Sequence, residues 1–252
     1  MDELHPDPAM RRMKSLIDQW EAAGDRRAVF LRCYRLMSSN MLAAIDQQEF
    51  HDSAWVGKLL HRFADYYFIA LEAYEADHHR QESDSDPARP STAPLVWQQA
   101  HNAASQPGTL ALQNLLLGVN AHINYDLVLA LVDILEPEWD RLLENQRTLR
   151  YEDHCHVNRV IGRTIDTVQD QVLEPAMPVM DIFDKIMGPV DEILISRLLA
   201  HWRESVWHNA VRLLEVRKPG ERARRVKQLE EDVLELGGII HLRGFNPQRQ
   251  DS

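Results

Sequence analysis

The stretch that decides the fold is LALQNLLLGVNAHINYDLVLALVDIL, residues 110–135, the most apolar run in the chain. It is longer than the roughly 20 residues that span a bilayer, but polar side chains interrupt it: Asn114, Asn120, His122, Asn124, Asp126 and Asp133. Each charged group near a bilayer centre costs roughly 2.5–3.5 kcal/mol on insertion scales. We therefore expect that about 109–135 forms a helix buried in the protein core, and that this helix does not cross a membrane.

The segments around this central helix also have helical patterns. Apolar residues recur at spacings of three and four, most clearly between Trp55 and His79. No alternation with a period of two persists, and 10 Gly and 12 Pro are few for an all-β chain of 252 residues. The sequence predicts an all-α bundle around the central helix, with further helices at about 9–23, 25–45, 55–79, 93–105, 138–149, 152–173, 179–187, 190–217 and 221–236.

One stretch, QESDSDPARPSTAP at residues 81–94, has the composition of a linker, because it is polar, rich in proline and without periodicity. The helix before it has a wide apolar face that needs the later helices to cover it. We therefore interpret 81–93 as a surface loop and predict a single helical domain over 1–252.

Composition narrows the class of partner. The chain has 28 Lys and Arg against 39 Asp and Glu, a formal charge of −11, and such a surface repels nucleic acid. The N-terminal residues have no apolar signal, and Cys33 and Cys155 form no metal or disulfide pattern. We expect a cytoplasmic protein with a small-molecule substrate. The sequence leaves a homodimer open.

The polar side chains of the central helix are the candidate site. His122 and Asp126 are four residues apart and share one face, and Asn120 and Asn124 share another. A buried polar group without a partner costs roughly 1–3 kcal/mol, so each of these side chains requires a partner or a ligand. The catalytic candidates are His122, Asp126 and Asn124. The alternative is that His122 and Asp126 form a buried hydrogen-bonded pair that only fixes the packing.

Further candidates lie outside the central helix. HRFADYY repeats the His-x-x-x-Asp spacing with His61 and Asp65, and YEDHCHVN supplies His154. Imidazole and carboxylate groups suit zinc or non-haem iron. This pattern favours a divalent metal site with the ligands His122, Asp126, Asp65 and His154. The candidates for substrate binding, with the arginine reserved for an anionic group, are Asn120, Asn158, Tyr66 and Arg203.

Several of these segments also resemble a known family. LLLGVNAHINYDL, with RFADYYFIALEAY before it and HVNRVI and VWHNAVRLL after it, resembles a bacterial and fungal family of unknown function with an AHIN-x-DL signature. The likeness covers about 25–215 and implies one helical domain. It points to Asn120, His122, Asn124, Asp126 and Asn158. A looser likeness, in the His-x-x-x-Asp pairs alone, connects the chain to zinc-dependent phospholipase C and P1 nuclease.

The sequence therefore predicts a small-molecule enzyme with a polar pocket beside the central helix. Metal-assisted hydrolysis is the first reaction type, because a bound metal supplies hydroxide near neutral pH. The alternatives are a metal-free acid–base isomerase or cyclase of secondary metabolism, with His122 in proton transfer, and a non-catalytic ligand-binding helical protein.

Overall fold

The computed structural model describes residues 7–83, 91–164 and 190–242, and most of these residues are helical. No β-strand occurs within these ranges, so the predicted all-α class is confirmed. In chain order the elements are α1 (Pro8–Ala23), α2 (Arg27–Asp46), α3 (Ser53–Ser83), α4 (Leu95–Ser105), α5 (Ala111–Ala121), a π-helical turn (His122–Asp126), α6 (Leu127–Leu135), α7 (Glu144–Gly162), α8 (Val190–Glu215) and α9 (Pro219–Leu242).

The predicted central helix is a continuous helical segment made of α5, the π-helical turn and α6. Inside the turn the Leu127 N–H donates to the carbonyl of His122, five residues back, which widens the backbone by one residue. Helices α2, α3, α4, α8 and α9 all pack against this segment. Val128, Leu131 and Leu135 have no exposed surface, as expected for the centre of a bundle.

By length and composition alone, Ala111–Leu135 also qualifies as a segment that could cross a membrane. Within the structure, however, 72% of its most apolar window is buried. The other helices provide the apolar surroundings that lipid would otherwise supply. This burial is typical of the core helix of a soluble-type helical protein.

The two ends of α1 and the start of α2 lie at the capping residues expected from the sequence. Asp7 caps α1 by accepting the N–H of Met10 at 3.1 Å, and Pro8 occupies the first helical position. Gly24 ends α1 in the left-handed region, at φ 68°. Asp25 then accepts the N–H of Arg27 at 2.9 Å, where α2 begins.

The region after the central helix differs from its prediction. The separate helices predicted at 138–149 and 152–173 are wrong for the described residues: turns occupy most of 136–141, and one helix, α7, runs over Glu144–Gly162. The Gln146 side chain accepts the N–H of Leu143 at 2.9 Å and so satisfies a free donor at the start of α7. No Gly or Pro interrupts the chain between 149 and 152. The stretch 165–173 and the short helix predicted at 179–187 lie outside the described residues.

Helix α9 is longer than predicted and continues through Gly237-Gly238 to Leu242. Gly237 permits this because a Cβ atom there would lie 1.9 Å from Oε1 of Gln99 on α4. Gln113 of α5 donates to the carbonyls of Ile240 and His241, at 3.3 and 2.9 Å, in the last turn. Gly237 therefore allows α9 to pack closely against α4, and the glycine pair does not end the helix.

The polar stretch predicted as a surface loop at 81–93 begins later than expected, because α3 continues to Ser83. Residues 84–90 lie outside the described residues. The end of the stretch is fixed by the buried Asp77, whose Oδ2 accepts the N–H groups of Thr92 and Ala93 at 2.7 and 3.1 Å. One hydrophobic cluster includes side chains from before and after the loop. The single domain over 1–252 stays a prediction.

Helices α2 and α5 approach closely at Gly118. A Cβ atom on Gly118 would lie 2.5 Å from Cδ2 and 3.0 Å from Cβ of Phe30. The Phe30 ring is itself packed against Tyr67 and Trp97, with centroid distances of 5.6 and 5.5 Å. One methyl group at this crossing therefore requires the Phe30 side chain or the two helices to move.

We predict that Gly118→Ala lowers the free energy of unfolding by about 1–3 kcal/mol, because it overpacks the core. Gly57→Ala is the matched control, since Gly57 is also inside a helix but a Cβ atom there would meet no neighbouring atom within 4 Å. This control should raise stability by about 0.5–1 kcal/mol through helix propensity. Urea unfolding measures both variants, and equal stability of the two would contradict the close approach.

Candidate functional site

His122 and Asp126 form a buried pair in the π-helical turn. Nδ1 of His122 lies 2.9 Å from Oδ2 of Asp126, and the two residues are only 2% and 1% exposed. Trp97 of α4 donates its indole N–H to the same oxygen at 3.0 Å. The pair predicted from the four-residue spacing is therefore formed, and the partner that holds its carboxylate comes from another helix.

Aromatic rings surround the imidazole of His122. Phe63 of α3 stacks on it, with centroids 3.5 Å apart and planes 9° from parallel. Tyr34 of α2 meets it edge to face at 4.3 Å. These rings exclude water from the imidazole and restrict it to one orientation.

Burial shifts both members of the pair toward their neutral forms. It lowers the pKa of His122 well below its usual value. Burial also raises the pKa of Asp126 well above its usual value, and the hydrogen bond from Trp97 opposes this shift. The imidazole is therefore neutral near pH 7, with one ring nitrogen protonated and the other available as an acceptor.

A cavity of about 130 Å³ adjoins the pair between α2, α3, α5, α7 and α8. Its walls are mostly apolar, and they include Met37, Leu59, Phe63, Val119 and Ile161. His122 lines this cavity, and its Nε2 is buried without a hydrogen-bond partner in the described parts of the chain. From the sequence we expected a polar pocket here, whereas the structure has an apolar cavity with few polar groups.

Two of those polar groups are the hydroxyls of Tyr34 and Ser38 on α2. Both oxygens are buried, and they neighbour each other without meeting hydrogen-bond geometry. Unsatisfied buried hydroxyls are uncommon in native structures, so each one requires an explanation. Neither hydroxyl has a hydrogen-bond partner among the described residues.

Asn120 and Asn124 face away from the cavity. The amide of Asn120 donates to the carbonyl of Val233 on α9 at 2.9 Å, and Asn124 donates to Oδ1 of Asn120 at 2.9 Å. Neither residue lines the cavity. The structure thus places the predicted catalytic Asn124 and the predicted substrate-binding Asn120 where they fasten the central helix to α9.

Arg203, Asn158 and His154 are brought together between α7 and α8. Nε of Arg203 donates to Oδ1 of Asn158 at 2.7 Å, and Nη2 donates to the carbonyl of His154 at 2.8 Å. Nε2 of His154 donates in return to the carbonyl of Arg203 at 2.8 Å. Of these three predicted site residues, Arg203 lines the cavity.

Tyr66 and Asp65 lie elsewhere on α3. The hydroxyl of Tyr66 donates to Oδ2 of Asp133 at 2.8 Å, and Arg62 donates to the same oxygen at 2.7 Å. The Asp65 side chain is 61% exposed and 3.8 Å from Arg62. Neither Tyr66 nor Asp65 lines the cavity.

The four predicted metal ligands are not assembled. Asp65 is at the surface, and His154 is committed to the backbone of α8. Within the described parts of the chain, no three His, Cys, Asp or Glu side chains are grouped so that they hold a metal ion. A divalent metal cofactor stays a prediction, and the described residues do not supply a set of ligands for it.

Sequence reasoning missed Trp97, Phe63 and Tyr34 as members of the site. Their helical spacing indicates only that they face the core. A tryptophan in a core helix does carry one signal, because its indole N–H requires an acceptor when it is buried. A buried carboxylate such as that of Asp126 likewise requires hydrogen-bond donors, but the sequence does not show that α4 supplies one to the central helix.

The fold and site define an all-α protein with a buried histidine–aspartate pair at the wall of an apolar cavity. Comparison with family models then identifies the family: the chain belongs to the family described as "Family of unknown function (DUF5995)", which it matches over residues 7–242. The expected membership of an uncharacterised family is confirmed. No curated protein and no solved structure matches the chain. The looser likeness to zinc-dependent phospholipase C stays a prediction.

Two buried histidines outside the pair make stability depend on pH. Burial first, and then Arg27, lowers the pKa of His101 to about 3. Burial first, and then Arg203, lowers the pKa of His154. Both stay neutral in the folded protein and gain a proton on unfolding below pH 6.5. Stability from these groups is therefore complete above pH 6.5 and is lost as the pH falls.

We predict that His101→Gln lowers the pH dependence of the free energy of unfolding below pH 6.5 by about 1.4 kcal/mol per pH unit, because the side chain at this position then no longer gains a proton on unfolding. His201→Asn, at an exposed position, should leave it unchanged. Urea titrations from pH 5 to pH 8 measure the slope, and a slope in His101→Gln equal to that of the wild type would contradict a neutral buried His101.

Proposed function

We propose that the protein is a small-molecule enzyme that binds a largely apolar substrate in the cavity and uses His122 as a general base without a metal. One observation carries the proposal. His122 lines the cavity, its Nε2 is buried without a partner in the described parts of the chain, and its Nδ1 is held by Asp126. A positioned imidazole with one occupied and one open nitrogen is the usual arrangement of a histidine base.

Asp126 is the positioning residue in this reaction. The hydrogen bonds from His122 Nδ1 and from the indole N–H of Trp97 stabilise the ionised form of Asp126 against its burial. In that form Nδ1 carries the ring proton, and Nε2 is the nitrogen that accepts a proton from the substrate. The carboxylate then lies 2.9 Å from a newly formed imidazolium and stabilises it. Trp97 keeps Asp126 in place through the second hydrogen bond to the same oxygen.

The apolar walls support this chemistry in two ways. They favour the neutral, basic form of the imidazole before reaction, and they exclude water that would compete for Nε2. The substrate class that follows is a small organic molecule with an acidic C–H or O–H group. Isomerisation, elimination and cyclisation all begin with removal of such a proton. We further propose a cytoplasmic location.

Non-catalytic ligand binding is the second candidate, and the apolar lining favours it. Most lining side chains have no polar atom that takes part in chemistry. In that function the open Nε2 only accepts or donates one hydrogen bond to the ligand. A test of proton transfer separates the two candidates.

The test is the base-triggered ring opening of 5-nitrobenzisoxazole, a planar apolar probe. The base removes the C3 proton, the N–O bond breaks, and a coloured cyanophenolate forms without any further reactant. We predict that the wild type accelerates this reaction over buffer, because a positioned base contributes about 10²–10⁴-fold. His122→Gln should lose this acceleration, and Asp126→Asn should reduce it at least about tenfold through the wrong tautomer.

His101→Gln is the matched control, because it makes the same substitution at a buried histidine that also has an unpartnered Nε2 but does not line this cavity. Its rate should equal the wild-type rate. Circular dichroism of each variant confirms folding. Wild-type rates equal to those of His122→Gln would defeat the general-base function and favour non-catalytic binding.

Elemental analysis tests the metal-free part of the proposal separately. We predict that protein purified without chelators contains less than about a tenth of an equivalent of zinc or iron. A zinc or iron site needs three or four protein ligands, and the described parts of the chain contain no such group. Dialysis against EDTA should leave the benzisoxazole rate unchanged. One equivalent of bound metal, lost together with activity, would support metal-assisted hydrolysis instead.

A further inference from the structure

Arg203 is a buried cation at the wall of the same cavity as His122. It lies on α8, and the whole residue is 4% exposed. Its Nε and Nη2 donate to two neutral oxygens, Oδ1 of Asn158 and the carbonyl of His154. These bonds orient the guanidinium, but neither oxygen carries a compensating negative charge.

The charge of Arg203 is uncompensated within the described chain. It forms no ion pair there, although the protein carries a net charge of −11. Burial lowers the pKa of its guanidinium to about 10, so the group stays protonated near pH 7. Nη1 makes no hydrogen bond with the described residues and keeps its two N–H donors. An isolated buried charge is costly, so an anion at this position stabilises the protein.

We propose that the ligand of the cavity is a small carboxylic acid bound as its anion, with the carboxylate on Arg203 and the apolar body extending toward His122. This inference rests on the proposed binding site and names its substrate class. It does not depend on what His122 does to the ligand. The reacting C–H or O–H group would then belong to the end of the molecule that faces Nε2.

The size and charge of the cavity narrow the class. Its volume of about 130 Å³ is close to that of the roughly 150 Å³ apolar cavity known to accept benzene, so the apolar body is about one ring or a short branched chain. Arg203 is the one lining residue with a permanent positive charge among those described. A single cation suits a monoanion, whereas a phosphate dianion would bring a second buried charge without a partner.

Benzoate and its neutral isostere benzamide test the inference by isothermal titration. Wild-type protein should bind benzoate at least about tenfold more tightly, because a charge-assisted hydrogen bond replaces a neutral one. In Arg203→Met the ratio of the two affinities should fall to about one. The control is Arg212→Met, at an exposed position on the same helix, which should keep the wild-type ratio.

The wild-type pair of ligands decides the question even where Arg203→Met fails to fold. Equal affinity of the wild type for benzoate and benzamide, or binding of neither, would overturn the inference. Benzoate preference without a His122-dependent benzisoxazole reaction supports the carboxylate class and defeats the enzyme function. A His122-dependent reaction without benzoate preference supports the enzyme function and defeats the carboxylate class. The failure of each proposal can therefore be told from the failure of the other.

Discussion

One constraint organises the molecule: an imidazole and a carboxylate lie in the middle of an apolar helix, and their polar atoms require partners that water does not supply. Asp126 obtains its second donor from Trp97, and the imidazole of His122 obtains its walls from Phe63 and Tyr34. These side chains come from α4, α3 and α2. The buried pair is therefore enclosed by side chains from three of the helices that pack against the central segment.

The two polar pairs of the central helix show opposite solutions to the same burial problem. Asn120 and Asn124 bond to each other and to the backbone of α9, so this pair uses its donors to fix helix packing. His122, which lines a cavity, bonds Asp126 through one nitrogen, and its other nitrogen is buried without a partner in the described parts of the chain. Identical four-residue spacing thus supports a structural lock on one face and a buried pair with one unsatisfied nitrogen on the other.

Sequence spacing predicts which side chains share a helix face, and this is enough for the central helix and for the His122–Asp126 bond. It does not tell which face turns inward. His61 and Asp65 repeat the same spacing, yet His61 bonds Asp7 at the surface and Asp65 is exposed. Spacing does not reveal Trp97 either, because the contact between α4 and the π-helical turn is tertiary. The turn itself depends on one shifted backbone hydrogen bond, which side-chain patterns do not encode.

The charges around the cavity connect the two proposals. Arg203 with a bound carboxylate is neutral overall, and His122 with Asp126 passes between states that differ by one proton. In the proposed reaction His122 would take a proton from the ligand, and the new imidazolium would lie against Asp126 and close to the new negative charge on the ligand. No net charge enters the apolar cavity during the transfer. A lone histidine would have no carboxylate to stabilise its imidazolium, and without an anion the charge of Arg203 would stay uncompensated at low dielectric.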